Sequence, residues 1–232
     1  YETLKNRYPN VRILTWKKEF NYSAINNFAV REARGEYLLF LNNDVEIITE
    51  NWLEEMLQLC QQKDVGMVGA KLYYPDDTIQ HAGVVVGLGG VAAHVLCKLP
   101  RDAEGYMGRL RCVQEISAVT AACMMVKTSV FKAVGGFDEE LKVAFNDIDL
   151  CMKVRKYGVK IVFTPYAELY HYESKSRGME DTPEKQLRFS REVNCFRRKW
   201  ERELLKGDPY YNPNLTLNNT DCSLRKQEKN GD

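Results

Sequence analysis

The run Tyr37-Leu38-Leu39-Phe40-Leu41 is continuously apolar and of strand length, so it predicts a strand covered on both faces, as in parallel sheets. The polar triplet Asn42-Asn43-Asp44 follows it at once. Ahead of the run, Ile25, Phe28 and Ala29 recur at helical spacing between Ser23, suited to N-capping, and Gly35, suited to ending a helix. Behind it, Trp52, Leu53, Met56, Leu57 and Cys60 form one helical stripe that Thr49 can cap, and Val65 to Leu72 predicts the next strand. The chain opens as the end of a helix, turns at Pro9-Asn10, and enters a short β-type run from Val11 to Trp16. Strand and helix patterns therefore alternate.

The alternation lapses between Gly83 and Ala93, where Gly and Val dominate and an irregular or antiparallel excursion is expected. Val119 to Lys127 returns to strand, Gly135-Gly136 turns, Asp147 to Tyr157 is helical with Gly158 as its stop, and Lys160 to Phe163 is strand again. Thr182-Pro183 can start a last helix carrying Phe189, Val193, Phe196, Trp200 and Leu204 on one side. From Lys206 the composition shifts to Asn, Pro, Asp and Lys, giving an expected division into a domain over 1–205 and a strap with a frayed tail over 206–232.

Composition narrows the function classes. With 44% hydrophobic residues the 232-residue chain can bury a proper core. Its 33 basic and 32 acidic residues create no net field for nucleic acid, so any polyanion site must be local. The seven cysteines are scattered, odd in number and never spaced CxxC, which reads as a reduced cytosolic protein. No stretch approaches the roughly 20 apolar residues of a membrane span, and Tyr1 to Arg7 lack an apolar signal core.

Three constellations can carry chemistry. Asp44 lies just past the carboxyl end of a buried strand, where ligands bind in open α/β sheets, and its carboxylate suits a divalent ion while Asn42 and Asn43 suit sugar hydroxyls. The same triplet also makes an ordinary turn. Asp147 and Asp149 are two apart, so on a helix they point roughly 200° away from one another and are no acid/base pair. One can face a cleft as a general base while the other serves the helix N-terminus, or both can simply meet the helix dipole. His171 precedes Ser174, Lys175, Ser176 and Arg177, company that suits a metal and diphosphate oxygens, whereas His81 and His94 read as ordinary loop or core residues.

Phe20 to Asn27 followed by Gly35 to Asp44 resembles family 2 glycosyltransferases of the GT-A fold. Gly135-Gly136-Phe137-Asp138 with Asn146-Asp147-Ile148-Asp149-Leu150-Cys151 looks like that family's acidic catalytic motif. His171 to Gly178 looks like its His-x-x-Ser segment, and Asp208 to Leu215 resembles the closing strap of bacterial members that extend surface polysaccharides. The resemblance implies a mixed, mostly parallel α/β sheet with helices on both faces. It implies an inverting, metal-dependent transfer from a nucleotide-diphosphate sugar to a glycan or polysaccharide acceptor. Asp147 matches the base, Asp44 the metal ligand of the DxD motif, and His171 a second ligand for Mn2+ or Mg2+. Asn26, Asn42, Asn43, Lys175 and Arg177 fall at donor-binding positions, and Asn146 and Asp149 at acceptor or supporting ones.

Two departures stand out. Asn42 occupies the place of the motif's first acid, and Ile25 stands where many relatives carry an Arg. Such a fold also normally begins with a strand, a helix and a second strand, so removal of roughly 30 or more residues is expected, the size of a βαβ unit. The fragment is then expected to show little transfer on its own, or to pair an exposed sheet edge with another copy; the full-length protein would sit in the cytoplasm, at the inner face of the membrane if it associates with it. The rival readings are a carbohydrate- or nucleotide-binding module without catalysis, and a nucleotidyltransferase, whose Gly-rich phosphate loop is not visible.

Overall fold

A computed structural model of the chain describes residues 1–173 and 182–226. In chain order its elements are α1 (Glu2–Arg7), α2 (Tyr22–Glu32), β1 (Tyr37–Leu41), β2 (Val45–Ile47), α3 (Trp52–Cys60), β3 (Val65–Tyr73), β4 (Ile79–His81), β5 (Val84–Val86), β6 (Ala92–His94), β7 (Gln114–Glu115), β8 (Cys123–Lys127), α4 (Thr128–Ala133), α5 (Asn146–Tyr157), β9 (Lys160–His171) and α6 (Pro183–Lys206). The main sheet runs β1-β8-β3-β9-β2, with β4 added on β3 and β7 on β9. It is mixed. β3 and β9 pair in parallel, while β8 lies antiparallel between β1 and β3, so β1, β3 and β9 share one direction and bring their carboxyl ends to one edge.

Successive residues of each strand point to opposite faces and so divide the core in two. On one face Trp52, Met56 and Cys60 of α3 pack with Val68, Leu72, Met125 and Val162. On the other, Leu150, Cys151 and Val154 of α5 pack with Met67, Met124, Ile161 and Phe163. Burial of each such aliphatic or aromatic side chain stabilises the fold by roughly 1.5–3 kcal/mol. β1 obeys the expectation of two-sided cover: Leu38 and Phe40 join the second cluster, and Tyr37 and Leu39 pack against the first.

Several local expectations are corrected. The cap of α2 is Asn21, extended and accepting from Ala24 N at 3.0 Å, because Ser23 instead donates its hydroxyl to the carbonyl of Leu141 at 2.6 Å. That helix ends at Glu32 with Ala33 as its cap, short of Gly35. Thr49 does not cap α3, whose N-cap is Asn51; its hydroxyl accepts from Glu168 N at 3.2 Å. Residues 11–16 form no strand, and Val11 and Leu14 stay exposed. Only Cys123–Lys127 of the run beginning at Val119 is strand, since the backbone of Val119 and Ala121 is bonded to Cys151 and Asp147 instead.

Other expectations are met. β5 and β6 make a separate antiparallel hairpin inside the Gly- and Val-rich stretch. Gly158 ends α5 in the left-handed region at φ 97°, where a side chain would be strained. Thr182 caps α6 over Pro183, accepting from Lys185 N at 3.3 Å. Beyond α6 the chain lies along the hairpin: Asp208 accepts from Val86 N, Gly89 N donates to Leu217 O, and Tyr211, Leu215 and Cys222 are buried. The last six residues, 227–232, fall outside the described part.

Candidate active site

Register brings the first two functional groups together. Val45 of β2 pairs with His171 at the carboxyl end of β9, and Tyr172 N donates to Asp44 O at 2.8 Å, so Asp44 is delivered beside the imidazole. Asp44 Oδ1 lies 3.3 Å from His171 Nε2, and Asn42 Nδ2 lies 3.2 Å from the same nitrogen. Behind the ring, buried Gln80 donates its amide to the carbonyl of His171 at 3.2 Å, which leaves its Oε1 to accept from His171 Nδ1 at 2.7 Å. The opposite amide orientation would set two oxygens against each other, so the proton is on Nδ1 and the Nε2 lone pair faces Asp44. Burial lowers the pKa of His171, only partly offset by Asp44, and the ring is neutral at pH 7.

This pair fits a divalent ion. Asp44 Oδ1 is buried without a hydrogen-bond partner among the described residues, and it confronts a lone pair. A cation held by both would satisfy the orphaned carboxylate oxygen and take the imidazole lone pair that the Asn42 amide otherwise reaches. The described residues contain no cluster of three or more such ligands.

The third group arrives from α5. Asp147 lies in the first turn of that helix, where the helix dipole favours a carboxylate. Its Oδ2 accepts from Ala121 N at 3.1 Å and its Oδ1 from Ile148 N at 2.9 Å. The peptide of Ala121 is held on its other side by Tyr22, whose hydroxyl donates to the carbonyl at 3.1 Å. Burial, then the charge of Asp147, pushes the Tyr22 hydroxyl far up, so it stays a neutral donor.

Asp44, His171 and Asp147 line one cleft of about 800 Å3 at the carboxyl ends of β1 and β9, with Tyr22, Thr120 and Glu173 among the other wall residues. Asn26, Asn42, Asn43 and Asn146 also reach it. Asn26 ties its amide nitrogen to Tyr22 O at 2.8 Å, and Asn146 donates to Val143 O at 2.9 Å, so both also shape the wall. Asp149 does not reach the cleft. It is fully buried, accepting from Trp200 Nε1 at 2.8 Å with Lys199 at 2.8 Å and Lys153 at 3.3 Å, which makes it a structural anchor rather than an acceptor contact. Lys175 and Arg177 lie outside the described residues. Sequence reading missed Gln80, Tyr22 and the Ala121 peptide. His81 is core as expected, and it adjoins the site through Thr120 N, 3.4 Å from its Nε2.

Known proteins bear on this geometry in three ways. A Sinorhizobium fredii protein designated y4gI is 57% identical over 215 residues, 92% of this chain and 24% of its own length. The O-antigen biosynthesis protein RfbC of Myxococcus xanthus is 42% identical over 225 residues, 97% of this chain and 17% of its own. The chain thus spans a quarter or less of these relatives. Among solved structures, GalNAc-T7 with UDP, GalNAc and Mn2+ superposes on 88% of this chain and 39% of its own at TM-score 0.65 and 14% identity. The mannosyltransferase PcManGT of Pyrobaculum calidifontis, with GDP-Man and Mn2+, covers 87% of this chain and 50% of its own at TM-score 0.58 and 15% identity. The fold is that of the GT-A glycosyltransferases. The model of the glycosyltransferase-like family matches residues 9–192, and the chain belongs to that family.

Proposed function

We propose that the chain moves a sugar from a nucleotide-diphosphate donor to a hydroxyl of a glycan or polysaccharide acceptor, inverting the anomeric configuration. The convergence of Asp44, His171 and Asp147 on one cleft carries this reading. Asp147 takes the proton of the acceptor hydroxyl as its oxygen bonds to the anomeric carbon; the bond to the diphosphate oxygen breaks, and the electron pair leaves with it. The Ala121 peptide and the start of α5 fix the carboxylate for that transfer. Asp44 and His171 would hold Mn2+ or Mg2+, which when bound neutralises charge developing on the leaving diphosphate. Asn26, Asn42 and Asn43 offer hydrogen bonds to donor hydroxyls without adding charge. UDP and GDP-mannose in the neighbouring structures support the donor class, and the O-antigen relative supports the acceptor class.

The test is Asp147→Asn in the intact protein that carries this chain, assayed with UDP- and GDP-sugars and manganese. Removing a positioned base lowers transfer by about 10²- to 10⁴-fold. Nucleotide binding is expected to persist, and undiminished transfer by the variant would remove Asp147 from the mechanism.

A further inference from the structure

The segment that leads into the helix of the base is held from a distance. Glu192, in the middle of α6, is 3% exposed and is spent on the backbone of another segment. Its Oε1 accepts from Val143 N at 3.0 Å and its Oε2 from Ala144 N at 3.0 Å. Arg188, one turn earlier, stands 3.7 Å from Oε2. Two consecutive N–H groups converging on one carboxylate form a charge-assisted anion nest.

That nest sits where the chain prepares to enter α5. Phe145 caps the helix in the left-handed region at φ 61°, a strained conformation for a non-glycine residue. Its ring packs on Phe196 and Phe189 of α6, at 5.5 and 5.7 Å. Upstream, Ser23 and the backbone of Tyr22 bind the carbonyls of Leu141 and Lys142 at 2.6 and 2.8 Å. Residues 141–145 are therefore stretched between the start of α2 and the middle of α6. Asp147 follows the strained phenylalanine by two residues.

We propose that Glu192 is a positioning residue for Asp147: its carboxylate holds the left-handed turn at Phe145 and thereby aims the base into the cleft. The inference rests on Asp147 being the base, and its test separates the two. Glu192→Gln keeps shape but sets an amide N–H₂ against one of the two backbone donors, breaking half the nest. In the intact protein, transfer from UDP- or GDP-sugars should fall about 10- to 10²-fold, as for a base displaced by a fraction of an ångström to an ångström. Affinity for UDP or GDP with manganese should not change, and Glu192→Asp, which retains the charge, should recover part of the rate. Combined with Asp147→Asn, Glu192→Gln should add no further loss, because it acts through that residue; independent losses that multiply would overturn the proposal.

If Asp147→Asn alone left transfer intact, the base assignment would fail, and amide exchange would still decide the role of Glu192. Exchange over 143–147 should accelerate in Glu192→Gln while residues 41–44 keep their protection. Unchanged exchange over 143–147 would overturn the proposal whatever the kinetics. Glu192→Asp supplies the same measurement should Glu192→Gln not fold.

Discussion

Gln80 decides what His171 can do. By accepting from Nδ1 it turns the Nε2 lone pair toward Asp44, and by donating to the His171 carbonyl it fixes its own amide orientation. Partners of this kind typically account for about 10- to 100-fold in metal affinity. Gln80→Leu should therefore weaken manganese-dependent binding of UDP or GDP by that factor, read by calorimetry, while metal-free nucleotide binding changes little; equal loss with and without manganese would contradict this role. The three central residues were legible because each follows or opens a regular element: Asp44 after an apolar run, Asp147 at a helix start, His171 at a strand end. Gln80 was not, since a glutamine on a three-residue strand carries no periodic signal, and Ala121 contributes an N–H that every alanine has. Asp149, given an acceptor or supporting place, stands two residues of helix beyond Asp147 and so turns inward to Trp200 and Lys199.

At the scale of elements, α6 is joined to the rest by charges inside the fold. Lys199 lies 2.8 Å from Asp149 Oδ1 and also pairs with Asp138 of the Gly-Gly-Phe-Asp turn, whose carboxyl the lysine's hydrogen bond holds below the usual range despite its partial burial. Because Asp149 has no exposure, losing one partner leaves buried charge less well compensated. Lys199→Met should lower unfolding stability by about 2 kcal/mol, the scale of hydrogen bonds to charged groups, in urea denaturation; a change within the scatter of the measurement would show that Lys153 and Trp200 suffice. The order of elements was largely readable, because helical stripes and apolar runs report burial directly. Ends were less so. The strand expected over Lys160 to Phe163 continues through Pro165 to His171, with the missing proline N–H falling where the ladder to β3 shifts register. Ser23 reads as a cap because the alternative, a hydroxyl bond to Leu141, joins residues 118 apart in sequence.

For the molecule as a whole, the buried imidazole of His81 links folding to acidity. It has no exposure, lies edge-on to His94 with ring centroids 4.9 Å apart, and faces Thr120 N and, farther off, His171. Burial first, then the two neighbouring imidazoles, lower its pKa well below the ordinary 6.5. The folded state consequently binds fewer protons than the unfolded one. Stability from this residue is fully present above the ordinary value and is lost progressively as pH falls from there toward the depressed one. One proton changes stability by at most about 1.4 kcal/mol per pH unit. His171 is lowered as well, so its contribution has the same sign. Denaturant unfolding in chelator at pH 7 and pH 5 should show the fall, and His81→Gln, though less stable at pH 7, should show a shallower one. The two slopes must be compared rather than the two stabilities, since removing a packed ring costs free energy at every pH. Parallel slopes for parent and variant would mean that His81 takes up its proton in the folded state, and that the buried pair it forms with His94 opens to admit it.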